Sequence, residues 1–495
     1  MSGRDLIGGT WQPIEGEALR SCNPSRPDDC CWSGTPVVGH VDEAVRAARE
    51  PAVAWAETPL ESRAAVLRRF AELVTERAGD LAALILRETG KTRAESAAEA
   101  GALAAKIAIT IDGPGAARVT PWTFPVNDSR SGACTFRPHG VMSVIGPFNF
   151  PMHLPNGQMA PALLAGNAVV FKPSERAAAC GEALVQCWHD AGLPRGVVSL
   201  VHGGPTVASE LVTHPGVDGV LFTGSWPVGR KILESCLDDP GRIVALELGG
   251  NNPAIVMPDA DLRQAVIECV RASFATAGQR CTCTRRIIVH EDIADAFIPA
   301  LAACASTLLV GDPAGDVPVF MGPVISEAAR DAVLAAQSRL ASAGARVVVP
   351  CVPVDGPGWF VTAGVTEVET FIGGEDQEIF GPLVQVCSVG SLDEAIREAA
   401  ATRYGLAASV FSADRSVFET AMSRLKVGCL NWNTGTAGAS SALPFGGVGR
   451  SGNHRPAAAF ASDFCAYPVA SLLETGDAAP VPEGLLWDDR WIDRV

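Results

Sequence analysis

The stretch Ala277-Gly278-Gln279-Arg280-Cys281-Thr282-Cys283 sets two thiols on either side of one threonine, directly behind an arginine. A thiolate attacks electrophilic carbon, and a nearby cation lowers a thiol pKa from about 8.5. Cys281 is therefore the candidate nucleophile, with Arg280 as its candidate cation. In an extended segment Cys283 would share a face with Cys281, which predicts a local disulfide under oxidation. A cysteine by itself is most often a small buried hydrophobe. The reading therefore requires a base, an oxyanion donor and a cofactor pocket elsewhere in the chain.

Each has a candidate. Glu247 stands in the apolar run Ile243-Val244-Ala245-Leu246-Glu247-Leu248, so burial is expected to raise its pKa toward that of a useful base. Asn149 lies in Gly146-Pro147-Phe148-Asn149-Phe150-Pro151, where aromatic and proline neighbours fix the direction of an amide that can donate to a developing oxyanion. Lys172, Ser174 and Glu175 follow an apolar run with a cation, a hydroxyl and a carboxylate, a set suited to a nucleotide ribose. Phe222-Thr223-Gly224-Ser225-Trp226-Pro227-Val228-Gly229 reads as a strand end, a glycine turn and a helix start, where free backbone amides attract phosphate.

The elements that must position these groups alternate. Val141 to Ile145, Asn167 to Lys172, Val197 to Val201 and Gly219 to Phe222 are short β-branched runs separated by helical stretches. That order predicts a parallel sheet covered by helices, with ligands beyond the carboxyl ends of its strands. A further α/β region runs from about Asn252 to Val427. The first 40 residues read as hairpins and turns. Thr58-Pro59-Leu60-Glu61 and Ser391-Leu392-Asp393-Glu394 read as capping boxes, the second helix ending near Tyr404-Gly405, and Gly90 as a helix end. The polar segment Trp122 to Arg137 breaks the alternation, with a strand at Ala133 to Arg137 in an arm that leaves the domain body.

Composition narrows the class. The chain has 495 residues, 47% of them hydrophobic, enough for more than one core. A net charge of -16 argues against nucleic acid or an anionic membrane as partner. Fifteen cysteines without CxxC pairs or matching histidine spacings signal neither a disulfide framework nor a metal site. With no signal-peptide pattern or apolar span, a cytoplasmic protein is expected.

Taken together, Asn149, Lys172 to Glu175, Gly224 to Gly229, Glu247, Cys281, Glu378-Ile379-Phe380-Gly381-Pro382 and Pro444-Phe445-Gly446-Gly447 carry a resemblance that covers essentially the whole chain. It is to the aldehyde dehydrogenase superfamily. His153-Leu154-Pro155-Asn156-Gly157, Gly249 to Pro253 with Asn251 after the glycine pair, Gly278 to Cys283, and Gly452-Asn453-His454-Arg455-Pro456 resemble its branch that acts on N-succinylglutamate 5-semialdehyde.

The resemblance implies an α/β fold with a Rossmann-like NAD domain (1–121 and 140–251), a catalytic α/β domain (252–448) and a β oligomerisation arm (122–139 and 460–475), assembled as a homodimer or homotetramer. It implies that Cys281 attacks an aldehyde, that the Asn149 amide and the Cys281 backbone N–H hold the oxyanion, and that Glu247 activates the water that releases an acid. Lys172, Ser174 and Glu175 would contact the adenosine ribose, and Gly224, Ser225, Trp226, Pro227, Val228 and Gly229 would line the pyrophosphate region. Glu378 and Phe380 would hold the nicotinamide end. A carboxylate at Glu175 repels a 2′-phosphate, so NAD is expected over NADP. An acidic small-molecule aldehyde calls for basic or amide donors, with His153, Asn431 and Arg455 as candidates. A broad-range aldehyde dehydrogenase is the alternative within enzymes. A non-catalytic binding relative should lack the thiol or the base, and both are present.

Overall fold

The computed structural model describes residues 1–453, 455–476 and 481–492; His454 lies outside the described residues. Two seven-stranded sheets dominate. In the first, Val141–Ile145 and Ala168–Lys172 are buried at every position, as expected of parallel strands covered on both faces. The order is Ile243–Glu247, Gly219–Thr223, Val141–Ile145, Ala168–Lys172, Val198–Leu200, Arg4–Ile7 and Thr10–Pro13. Its first five strands run parallel, and the N-terminal hairpin joins antiparallel.

The second sheet runs Arg346–Val349, Gly364–Glu367, Leu383–Val389, Thr284–His290, Asn252–Val256, Ala407–Phe411 and Cys429–Trp432. Only its first pair is antiparallel. The chain is thus the α/β protein that its strand and helix alternation predicts. A third sheet, wholly antiparallel, pairs Ala466–Glu474 with Arg130–Pro138 and that strand with Trp122–Pro125. Among the described residues no helix is long and apolar enough to cross a membrane.

The core of the first sheet is sealed by helices Leu60–Glu76 and Ala178–Asp190, where Phe70 stacks on Trp188 with ring centroids 3.7 Å apart. Full burial of such a side chain contributes about 1.5–3 kcal/mol. Gly90 ends helix Ala78–Thr89 at a φ of 73°, a left-handed value that glycine adopts without strain.

Two expectations change. Thr58 does not cap the following helix. Helix Leu60–Glu76 starts after Pro59, and the Thr58 hydroxyl donates instead to Ala54 O at 3.0 Å, closing the helix before it. The helix opened by Ser391 stops at Ala400, short of Tyr404. The box whose two reciprocal bonds both form is Thr92 with Glu95, at the head of helix Arg93–Asp112.

That helix positions the site. Its inward stripe mixes Leu103 and Ile107 with Ser96, Glu99, Lys106 and Thr110, all buried. Buried charge must be paired or used, and Glu95, Glu99 and Lys106 each point toward segments that carry candidate chemistry.

Candidate active site

The nucleophile segment leaves helix Leu262–Phe274 through an irregular turn. Thr276, Ala277 and Gly278 have φ of 57°, 52° and 68°. The first two are side chains held in the left-handed region, a conformation that persists only when the surroundings over-determine it. Glu95 does so: its Oε1 accepts from Thr276 N and Thr276 Oγ1, both at 2.8 Å. At Gly278 a Cβ would come within 2.2 Å of Gly381 O, so only glycine fits.

The segment is a turn, not a strand, which removes the premise for pairing the two thiols. Cys283 N donates back to Arg280 O at 3.1 Å, and the Cys283 thiol is buried against Ala275 O. Asn252 Nδ2 clamps the turn by donating to Cys281 O at 2.7 Å and Cys283 O at 2.9 Å.

Arg280 is not the cation of the nucleophile. Its guanidinium donates to Glu95 Oε1 at 2.9 Å and to Thr276 Oγ1 at 2.8 Å. The cation that does favour the Cys281 thiolate is Arg285, which also holds the turn through Gly278 O and Arg280 O. Burial nevertheless pushes the Cys281 thiol well up, helped by the carboxyls of Glu247 and Glu378.

Asn149 and Glu247 line the same cavity as Cys281. Asn149 is 6% exposed, and one proton of its amide is spent on Gln279 O at 2.9 Å. An amide nitrogen has two protons, so one remains. No acceptor among the described residues engages the Cys281 backbone N–H. Glu247 ends strand Ile243–Glu247, 4% exposed, with Oε1 unpartnered among the described residues. Burial alone drives its pKa far above the carboxylate range. A Cβ on Gly446 would lie 2.3 Å from Glu247 Oε1, so the glycine-rich segment near 446 makes room for the carboxyl.

Helix Arg93–Asp112 joins the two loops from below. Glu99 Oε1 accepts from Met152 N and His153 N at 3.1 Å each, and its Oε2 takes Lys91 Nζ at 2.5 Å. Lys91 stands 3.4 Å from the Phe150 ring centre. One turn apart on one helix, Glu95 holds the thiol loop and Glu99 the amide loop.

The cavity, about 1140 Å³, continues from the thiol to Lys172, Ser174, Glu175, Gly224 to Val228, Glu378 and Phe380. Lys172 Nζ is buried and donates to Pro173 O at 2.6 Å, with Glu175 3.9 Å away; burial lowers its pKa to about 8. Ser174 Oγ accepts from Arg176 N at 3.2 Å. Helix Trp226–Ser235 begins with Ser225 at its cap and Pro227 in the first turn, without a side-chain cap, so its leading amides stay free for an anion. Gly229 lies against Leu248, where a Cβ would come within 2.7 Å. Glu378 Oε1 accepts from Gly250 N at 3.3 Å and lies 3.7 Å from Arg285; burial raises its pKa to about 7. Phe380 meets Phe148 edge to face at 5.9 Å. Uncapped amides, a buried cation and a buried carboxyl along one cavity fit a dinucleotide's phosphates and hydroxyls.

Of the candidates for an acidic substrate, His153 reaches the cavity with Nδ1 buried and unpartnered. Asn431 and Arg455 do not line it. Asn431 Nδ2 is used on Gly435 O at 2.8 Å and Gly438 O at 3.2 Å, holding that loop together. Arg455, at a φ of 57°, packs its backbone on Gly446. The cavity wall instead contains Lys106, 2% exposed, which the sequence reading missed. No sequence signal marks it, because the buried stripe it shares also carries Ser96, Glu99 and Thr110.

Residues 11–467 match the model of the aldehyde dehydrogenase family. The chain belongs to that family. A curated aldehyde dehydrogenase of Caulobacter vibrioides, named N-succinylglutamate 5-semialdehyde dehydrogenase 1, is 46% identical over 90% of this chain and 94% of its own. The N-succinylglutamate 5-semialdehyde dehydrogenase of Novosphingobium aromaticivorans is 44% identical over 92% and 96%. Among solved aldehyde dehydrogenase-like structures, 1-pyrroline-5-carboxylate dehydrogenase from Thermus with bound NAD superposes with a TM-score of 0.89 at 27% identity, over 96% of this chain and 93% of that one. An NADP-dependent glyceraldehyde-3-phosphate dehydrogenase from Bacillus halodurans complexed with NADP gives 0.88 at 28%, over 96% and 100%.

Proposed function

We propose that this aldehyde dehydrogenase uses NAD to oxidise N-succinylglutamate 5-semialdehyde to N-succinylglutamate. The observation that carries the chemistry is the convergence of the Cys281 thiol, the Asn149 amide and the unpartnered Glu247 carboxyl on one cavity. The substrate is supported by the names of the relatives at 44% and 46% identity.

The Cys281 proton passes to water in the cavity, and the sulfur bonds to the aldehyde carbon as the carbonyl π pair moves onto oxygen, giving a thiohemiacetal anion. The new oxyanion lies between the free proton of Asn149 Nδ2 and the unengaged Cys281 N–H. Bound NAD supplies the acceptor for the hydride that leaves this carbon. The thioester left on Cys281 is opened by a water from which Glu247 takes a proton. Burial raises the basicity of Glu247, so its ionised carboxylate takes a proton more strongly than an exposed one would.

For the cofactor, Lys172, Ser174 and Glu175 hold the adenosine ribose, Gly224 to Gly229 the pyrophosphate, and Glu378 with Phe380 the nicotinamide end. Residues 1–121 and 140–251 act as the cofactor domain and 252–448 as the catalytic domain. The three-stranded sheet from 122–139 and 460–475 is the oligomerisation arm of a homodimer or homotetramer. The exposure of Trp122, Phe124, Leu472 and Leu473 on it supports this, because exposed apolar edge strands are completed by another subunit. A reducing cytoplasm suits the free cysteines.

Turnover of the purified protein on N-succinylglutamate semialdehyde, on shorter acidic semialdehydes and on neutral aldehydes tests the reading. The highest kcat/KM is expected for the first. A neutral aldehyde preferred by tenfold or more contradicts it.

A further inference from the structure

Lys106 is a buried charge that the proposed chemistry does not use. It is 2% exposed, yet among the described residues no carboxylate lies within ion-pair distance. Among the described residues its one hydrogen-bond partner is Ala458 O at 2.8 Å, which leaves two of its three ammonium protons unused there. The neighbouring charges do not balance it: Lys91 and Glu99 are paired with each other, and Glu95 is taken by Arg280 and Thr276. Removing an ammonium from water without a counter-charge is costly, and burial lowers its pKa to about 8.

The surroundings are shaped for a ligand. Lys106 lines the same cavity as Cys281, beside Ala457, Ala458 and His153. A Cβ on Gly157 would stand 3.9 Å from Lys106 Cε, so the lysine stem runs alongside helix His153–Ala165, which also carries His153. His153 Nδ1 is a buried polar atom there without a partner among the described residues. The Lys106 charge also helps hold the His153 pKa down, which places the two groups in one electrostatic environment. Glu95 at the thiol loop and Lys106 are eleven residues apart on one helix, about 16 Å of axis. The cation therefore lies about three helical turns from the carboxylate that holds the thiol loop.

We propose that Lys106 and His153 form an anion subsite that takes a carboxylate of the substrate remote from its aldehyde. It rests on the acidic substrate class proposed above and assigns the residues that select it. The subsite makes binding depend on a negative charge at the far end of the aldehyde, and Ala458 O fixes the ammonium on the cavity wall.

The test is Lys106→Met and Lys106→Arg, each assayed with N-succinylglutamate semialdehyde and with the matched pair 4-carboxybenzaldehyde and benzaldehyde. Loss of one charge-assisted hydrogen bond predicts roughly a 10- to 100-fold rise in KM for acidic aldehydes in Lys106→Met. The preference for 4-carboxybenzaldehyde over benzaldehyde should fall by at least tenfold, and Lys106→Arg should recover most of it. Equal losses on both members of the pair, or unchanged preference, overturn the subsite and leave Lys106 as a tether for Ala458. If wild-type protein rejects N-succinylglutamate semialdehyde, the substrate reading fails, while the benzaldehyde pair still decides whether the subsite exists. Should Lys106→Met not fold, glutarate as a competitive inhibitor of the wild type reads the site: inhibition against acidic and neutral aldehydes alike supports it, and none contradicts it.

Discussion

Glu95 Oε1 and Arg280 Nη2 are joined at 2.9 Å, and this pair turns the arginine next to the nucleophile away from the thiol. The same oxygen holds Thr276, so one carboxylate fixes both the start and the end of the strained turn. Glu95 is a positioning residue, its carboxyl kept below the usual range chiefly by Arg280 against the cost of burial.

Glu95→Ala should therefore release the turn. A displacement of about 1 Å in a reacting group costs up to roughly 100-fold, so kcat is expected to fall about 10- to 100-fold while the KM for NAD changes little. Glu95→Gln keeps an acceptor for Thr276 and should recover much of kcat. Steady-state kinetics of the two variants check this; a Glu95→Ala enzyme with wild-type kcat would show that the turn holds itself.

Glu247→Gln separates chemistry from stability. The folded-state pKa of Glu247 is raised, so the folded protein holds a proton that the unfolded chain releases once pH passes about 4.5. Stability from this group is thus full at low pH and is lost as pH rises toward the folded pKa. Replacing it with neutral glutamine should raise Tm at pH 8 and leave it nearly unchanged at pH 4.5. Turnover should fall about 100-fold or more while a rapid first turnover remains, because the base acts only after the thioester forms. Melting curves at the two pH values and a rapid-mixing assay test both halves.

Glu175, the proposed ribose contact, is half-exposed and 3.9 Å from Lys172. In Glu175→Gln the repulsion of a 2′-phosphate is gone and Lys172 is free to attract it. The ratio of kcat/KM for NAD over NADP is expected to drop by roughly tenfold. A ratio that does not move would place discrimination elsewhere in the pocket.

What the sequence made legible, it made legible through burial and order. Glu247 stands in an apolar run, and Asn149 and Gly224 to Gly229 follow short β-branched strands, so both burial and strand ends could be read directly. Contacts across the chain could not. Arg280 sits next to Cys281 in sequence, yet its partner Glu95 is 185 residues away. Lys106 and Glu99 lie on an alanine-rich helix whose buried stripe is partly charged, so polarity there reads as a solvent face. Asn431 and Arg455 are suitable amide and basic donors by type, but residue type does not specify which way a side chain or backbone turns. Thr58 matched a capping pattern, but Pro59 displaced the helix start by one residue.

The central claim is that the acyl group passes through Cys281 and that Glu247 removes it. The direct measurement is peptide mapping by mass spectrometry of Glu247→Gln protein quenched after mixing with NAD and the aldehyde. The account predicts an acyl adduct on the tryptic peptide Cys281 to Arg285, with fragment ions placing it on Cys281 and not on Cys283. An adduct on any other residue, or none on a variant that has completed its first turnover, would contradict it.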